Sequence, residues 1–232
     1  VGKLVAFMEY LFHAMFSVML FCMVFMLYPR ASISAKRIMA VLNTETSIEN
    51  HPGNAQTDSG SGEHSVIFEH VDFVYPDGEE AVLKDISFSA KSGETVAFIG
   101  STGSGKSSLI QLIPRFYDRA SGNIYIDGQK IEDLDINALR SKIGFVPQKA
   151  HLFSGTIEEN TRFGKPDATM DEIIHAAKIA QAYDFIMEKP HQFQEQIVEG
   201  ATNVSGGQKQ RLSIARALIR KPEIYIYDDS FS

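Results

Sequence analysis

The stretch from Leu4 to Tyr28, LVAFMEYLFHAMFSVMLFCMVFMLY, limits the possible folds before any other feature does. Its 25 residues carry one formal charge, Glu9, and one histidine, His13. As a helix it extends roughly 37 Å at about 1.5 Å per residue, enough to cross a hydrocarbon core of about 30 Å with some tilt. A signal peptide is shorter and ends in a small-residue cleavage site, which does not follow here. A buried helix of a soluble protein would need an apolar partner on every side. The expectation is therefore a transmembrane helix in a lipid bilayer. Glu9 and His13 stand four residues apart on one helix face, and in lipid such a face turns to a bundle interior or an aqueous cavity. Two readings stay open: contact with a substrate or proton, or helix packing or an interfacial place near the outer end. Cys22 is the single cysteine; it excludes an internal disulfide, fits a reducing compartment and reads as a small buried hydrophobe.

Arg30, Lys36 and Arg37 follow the span, whereas only Lys3 precedes it. The bias of positive residues places the C-terminal end in the cytoplasm. Pro29 invites a kink, yet ASISAKRIMAVL keeps Ile33, Ile38, Val41 and Leu42 at helical spacing, so the helix is expected to run on to residue 42. Residues 43–65 are polar, with Pro, Gly and Ser and little to bury, which reads as an exposed, mobile linker. From Val66 to the end, 66–232, short β-branched runs alternate with helical patterns, the texture of an α/β domain. The net charge of −7 gives no basic footprint, so nucleic acid is not an expected partner.

Within that domain SGETVAFIGSTGSGKSSLIQLI reads as strand, tight loop and helix. Thr95–Ile99 is an apolar run suited to a buried strand, and Ser107–Ile113 follows a helical pattern that ends at Pro114. Between them Gly100, Ser101, Thr102, Gly103, Ser104, Gly105, Lys106 and Ser107 spell G-x-x-x-x-G-K-S. Glycines let backbone N–H groups converge on an anion, and the new helix directs its positive end to the same point. Lys106 is placed to reach terminal phosphates, and the Ser107 hydroxyl suits a magnesium ion. Glu223–Tyr227 reads as a buried strand that presents Asp228 at its end.

Further along, VSGGQKQRLSIARAL occupies 204–218, and EIYIYD occupies 223–228. With the phosphate loop and the apolar helix, this set resembles the ATP-binding cassette (ABC) proteins, in particular a half-transporter of the multidrug exporter type. The resemblance implies an α/β P-loop NTPase fold with a helical subdomain over Gly155–Arg211, preceded by one transmembrane α-helix, the last of its membrane domain. It implies ATP and Mg2+ as ligands, with Ser108 joining the loop residues at the nucleotide. Tyr75 matches the aromatic residue that stacks on adenine, which a flat ring does by dispersion; a strand-core tyrosine is the other reading. Gln148, in GFVPQ, matches the glutamine loop that touches magnesium or the attacking water. Ser205, Gly206, Gly207 and Gln208 match the signature, which closes on the nucleotide of a facing cassette from a helix beginning near Gln208. Val204 stands where the family has leucine and keeps an apolar anchor. Glu199 falls at a cross-contact loop, although Val198 replaces the usual glycine, and a solvated surface glutamate is the other reading. The family's pattern further implies about five membrane helices before Val1, and a D-loop and switch histidine after Ser232. His151, His175 and His191 lie upstream of the Asp228 strand and do not fit that last role. On this reading the stretch alone does not complete an ATPase cycle.

Asp228 matches the carboxylate that holds magnesium beside Ser107. Position 229 is where the family places a glutamate that polarises the attacking water; here it is Asp229. The shorter side chain withdraws the carboxylate by roughly 1.5 Å, about one C–C bond. Two readings follow: a degenerate site that binds ATP tightly and pairs with a different half-transporter, or a homodimer in which Asp229 works through a repositioned water. The resemblance also allows a regulatory or channel-gating cassette. The acidic balance and the apolar helix argue against a soluble DNA-associated ATPase.

Overall fold

The computed structural model describes residues 2–46, 48–50 and 66–229, which form two units, Val1–Glu49 and Asn50–Ser232. The first unit is one helix, α1 (Gly2–Leu42), 41 residues long and about 60 Å from end to end. Pro29 lies inside it without ending it. α1 has no buried residue and is long and apolar enough to cross a membrane. Cys22 is accordingly exposed, which corrects the expectation of a buried thiol: within its own unit the helix has nothing to pack against.

The second unit has two hydrophobic cores. The first lies under an antiparallel sheet built from β1 (Val66–Phe73), β2 (Leu83–Ala90), β3 (Ser121–Ile126) and β4 (Gln129–Lys130), in the order β2-β1-β3-β4. In β1, Val66, Phe68, Val71 and Phe73 are buried. Phe68 stacks on Phe88 across the β1–β2 ladder at 4.6 Å. The β1–β3 register slips between Glu69 and Asp72, and Gly122 closes against that bulge. A Cβ on Gly122 would stand 2.2 Å from the His70 carbonyl oxygen, so no other residue fits there. The short helices α2 (Lys106–Leu112) and α3 (Ile136–Ser141) complete this core together with the parallel pair β5 (Ile143–Val146) and β8 (Ile224–Tyr227); between these in sequence, β6 (Gly155–Thr156) and β7 (Gln196–Ile197) form a short antiparallel pair of their own. Leu109, Ile110 and Leu112 of α2 and Leu139 of α3 supply its buried side chains.

The second core is helical: α4 (Ile157–Arg162), α5 (Met170–Ile179), α6 (Tyr183–Met187) and α7 (Gly206–Leu218). Ile157, Ile173, Ile186 and Leu212 are its fully buried centre. Three of these helices start in the same way. Thr156 with Glu159, Thr169 with Glu172 and Ser205 with Gln208 each form a reciprocal capping box. Losing such a cap costs about 1 kcal/mol, a large share of what holds a six- or ten-residue helix in register.

Two expectations are corrected. Residues 95–99 form no ladder among the described residues, and Ile99 is 96% exposed. A strand exists only through a hydrogen-bonded neighbour, and none of the described strands pairs with this segment. The Glu223–Tyr227 run does form β8, but it is only half buried: Ile226 is enclosed while Tyr225 remains exposed.

Residue 50, expected in a mobile linker, is tied down. Asn50 Nδ2 donates to Asp135 Oδ2 at 2.9 Å, and the Ile136 N–H donates to Asn50 Oδ1 at 3.0 Å. Asp135 itself caps α3 by accepting from Asn137 N and Ala138 N. The rest of the expected linker, 51–65, lies outside the described residues. These bonds, that from Asn50 first and that from Ala138 N next, lower the Asp135 pKa below its ordinary value. A depressed carboxylate stabilises the folded form fully above its unfolded pKa and loses that contribution as pH falls through its folded pKa. The clamp is therefore expected intact at pH 7 and released below about pH 4. The protection factor of the Ile136 amide should fall over that acid window in the native protein and not in Asn50→Ala, where it is already low.

Candidate nucleotide site

The loop 100–105 enters α2 through Gly105, which caps the helix at φ 87°. A Cβ on Gly105 would meet Leu83 Cδ2 at 2.8 Å, so both the backbone angle and the packing demand glycine. Gly103 also has positive φ, 83°, with open space around it. A Cβ on Gly100 would lie 2.6 Å from Ser104 Oγ. The loop is thus bare backbone at the mouth of a helix, the form that admits an anion closely.

Lys106 folds over this loop. Its Nζ donates to the carbonyl oxygens of Gly100 at 2.7 Å and Ser101 at 2.8 Å, and more weakly to Ser104 Oγ at 3.4 Å. An ammonium held by three neutral oxygens has no counter-charge among them, and phosphate oxygens would satisfy it better. Ser107 Oγ donates to Asp228 Oδ1 at 2.9 Å, with Asp228 nearly buried at the end of β8. A hydroxyl and a carboxylate side by side are two hard oxygen donors, a set that fits magnesium sharing the rest of its shell with water and phosphate. Asp229 follows at φ 46°, the left-handed region that aspartate enters more readily than most residues. Gln148 Nε2 donates to Asp229 Oδ2 at 3.3 Å, so the glutamine expected at the site and the second carboxylate meet.

Tyr75 is also brought to the loop helix, in a manner the sequence did not suggest. Its ring packs edge-on against Phe73 at 4.7 Å and Tyr117 at 5.1 Å, and its hydroxyl bonds Ser108 Oγ at 2.8 Å. Tyr75 thus joins the aromatic edge of the sheet core and meets the helix that follows the loop.

Ser205, Gly206 and Gly207 are exposed at the start of α7, and a Cβ on either glycine would meet nothing within 4 Å. The helix begins at Gly206, two residues earlier than expected. Ser205 Oγ is engaged as the cap acceptor of Gln208 N, and Gln208 Oε1 accepts from Ser205 N, so the SGGQ stretch is preorganised by its own capping box. Val204 is buried beneath it in the helical core, as an anchor should be. Glu199 is exposed on a short 3-10 turn.

Arg216 is the residue that sequence reasoning passed over. From the last turn of α7 it donates to the carbonyl of Asn160 and to Asn160 Oδ1, and to the carbonyl of His151. Its guanidinium also lies over the rings of Phe153, at 5.1 Å, and Phe163, at 5.7 Å. Burial lowers its pKa from the usual arginine value. Arg216 thereby ties the signature helix to the segment that follows Gln148. A charge inside the apolar run LSIARALI was the available sign.

A glycine loop closing on a helix, with a lysine over it and a hydroxyl–carboxylate pair beside it, defines a P-loop nucleotide-binding domain. A family model described as ABC transporter matches residues 83–232. An uncharacterized ABC transporter ATP-binding protein of Bacillus subtilis, YfiB, is 47% identical over 232 residues, covering all of this chain and 40% of the relative. A Staphylococcus aureus ATP-binding/permease protein named for multidrug export is 50% identical over 167 residues, 72% of this chain and 29% of its own. Among solved structures, a bacterial Atm1-family ABC exporter with ATP bound superposes with a TM-score of 0.79 at 33% identity, over 87% of this chain and 35% of that one. The chain belongs to the ABC transporter family, and its second unit is the ATP-binding part of such a protein. It spans about 40% of the length of the Bacillus relative.

Proposed function

We propose that this chain is part of an ATP-driven membrane exporter. On this reading residues 1–42 are a membrane helix with its cytosolic extension, 43–65 a connection, and 66–232 an ATP-binding cassette on the cytoplasmic side. The observation that carries the proposal is the convergence at one loop of Lys106, the Ser107–Asp228 pair and Asp229 held by Gln148. Gly100–Ser108 would hold the phosphates of ATP, and Tyr75 would turn its ring to the base. Ser107, Asp228 and Gln148 would hold Mg2+, which supplies charge neutralisation at the terminal phosphates when bound. Asp229 would orient water.

The exposed SGGQ stretch sits on the helical core, whereas the phosphate loop sits on the sheet core. That separation supports a signature that serves the site of a facing cassette, hence a dimer. A heterodimer is favoured over a homodimer because Asp229 is short for its task, so a partner with a full-length glutamate would do most of the hydrolysis. The substrate class is of the multidrug or lipid type, by analogy with the relative named for multidrug export. In inside-out membrane vesicles containing the intact protein and its partner, Mg-ATP should drive uptake of a lipophilic dye. Steady ATP binding with no uptake of any lipophilic dye would instead favour a regulatory or channel-gating cassette.

A further inference from the structure

We propose that Tyr117 is a positioning residue for the Tyr75 ring, so that recognition of the nucleotide base depends on the turn that ends α2. This rests on the reading that Tyr75 turns its ring to the base, and it adds the residue that aims that ring.

The Tyr75 side chain is held from three directions. Its hydroxyl bonds Ser108 Oγ at 2.8 Å, and Ser108 is buried in α2. Phe73, buried at the end of β1, meets the ring edge-on at 4.7 Å. Tyr117 meets it at 5.1 Å with the two planes 86° apart, and also leans on Phe73 at 5.7 Å. Ser108 and Phe73 belong to a helix and a strand that the domain needs in any case. Tyr117 belongs to neither: it lies on irregular chain between α2 and β3, so its place depends on what fixes the turn 113–118.

That turn is fixed at a cost in stability. Arg115 has φ 55°, a left-handed angle that helix ends usually leave to glycine, and it is 3% exposed. Its N–H donates to the Leu112 carbonyl at 3.0 Å, and the Phe116 N–H donates to the Gln111 carbonyl at 3.1 Å, which closes the end of α2. The Arg115 side chain turns back to Asp118, Nε to Oδ1 at 2.7 Å and Nη2 to Oδ2 at 3.3 Å. Its Nη1 is buried with no hydrogen-bond partner among the described residues. From α3, Arg140 donates to the carbonyls of Pro114 at 3.0 Å and Arg115 at 2.8 Å, and its guanidinium lies over the Phe116 ring at 5.4 Å. A left-handed arginine and a buried unpaired N–H are both unfavourable, and they persist where surrounding contacts over-determine the conformation. Here the Arg115–Asp118 pair closes across residues 115–118 and Arg140 grips the backbone from outside, which leaves Tyr117 little freedom. An edge-to-face ring pair has a preferred angle, so Tyr117 fixes the tilt of the Tyr75 ring as well as its place.

A packing role for Tyr117 would affect every ligand of the loop alike, whereas aiming the base ring affects only a ligand that has a base. The test therefore compares ATP with inorganic tripolyphosphate on the intact protein, with binding read by equilibrium dialysis. Tyr117→Leu is expected to weaken ATP about fivefold, the size of one aromatic pair, and to leave tripolyphosphate unchanged. Tyr117→Phe, which keeps the ring, should bind ATP as wild type does. In a Tyr75→Leu background, Tyr117→Leu should weaken ATP no further. Tyr117→Met carries the same expectations and serves in place of leucine if that variant does not fold. The proposal is overturned if removing the Tyr117 ring leaves ATP affinity unchanged, weakens both ligands equally, or weakens ATP by the same factor with and without Tyr75. If Tyr75→Leu alone leaves the ratio of ATP to tripolyphosphate affinity unchanged, the reading of Tyr75 as the base ring fails, and the proposal falls with it.

Discussion

Lys106→Ala is expected to reduce ATP binding by the intact protein about a hundredfold or more, and to abolish ATP-driven uptake. Each hydrogen bond to a charged group contributes about 1.5–3 kcal/mol, and the ammonium is placed to make at least two with phosphate oxygens. The carbonyls of Gly100 and Ser101 that now hold it are neutral acceptors. Exchanging them for phosphate is a gain, and alanine forfeits that gain entirely. Nothing in the helix compensates, because Lys106 contributes no buried apolar surface to α2. Photolabelling with an azido-ATP analogue checks this directly. Labelling at the wild-type level would show that the loop is not the nucleotide cradle.

The second large effect lies at Asp229. Asp229→Glu is expected to raise the ATPase rate on the order of a hundredfold, since a general base displaced by about 1 Å loses that much. A hundredfold corresponds to about 2.7 kcal/mol of barrier. Against it stands the backbone: residue 229 is left-handed, φ 46°, which glutamate tolerates less well than aspartate. A side chain with a Cβ pays roughly 1–2 kcal/mol in that region whichever of the two it is, so the difference between them is only a fraction of this. Reach wins over strain. Gln148, 3.3 Å from the aspartate, should follow the longer carboxylate, since its amide is exposed and free to turn. The measurement is steady-state phosphate release by the intact protein expressed alone. An unchanged rate would mean that aspartate already does the work, and the homodimer reading would gain.

Much of this architecture can be read along the chain, for reasons tied to particular residues. The helix over 4–28 is legible because its run of good helix formers holds no glycine and meets no proline before Pro29, which does not end it. The phosphate loop is legible because its glycines are forced by geometry: Gly105 has both a positive φ and a neighbour too close for a Cβ. The start of α7 could have been placed to the residue, since Ser205 and Gln208 have the spacing of a capping box. Other features depend on partners distant in sequence. The apolar pattern of Thr95–Ile99 speaks for a strand, but pairing is a property of two segments, and one segment does not reveal it. Tyr75 reads as a stacking ring from its motif; that its hydroxyl finds Ser108, thirty-three residues on, follows only from the way β1 and α2 meet. Asn50 lies in a polar stretch with every mark of a linker, and only the fold shows that Asp135 is waiting for it.

The division of the cassette into two cores has a mechanical consequence. The chain leaves the sheet core after β5, builds the whole helical core from Leu152 to Ile219, and returns once to form β8. The outgoing strap carries Gln148; the returning strap enters β8 beside Ile143, and the far end of that strand presents Asp228 and Asp229. Arg216 welds α7 to α4, so the helical half moves as one piece. Any tilt of that piece against the sheet must be absorbed by the two straps, which join the parallel β5–β8 pair at opposite ends, and only the outgoing one lies at the Gln148 Nε2–Asp229 Oδ2 contact. A push on the helical half would therefore reach the carboxylate through Gln148 and that single 3.3 Å bond.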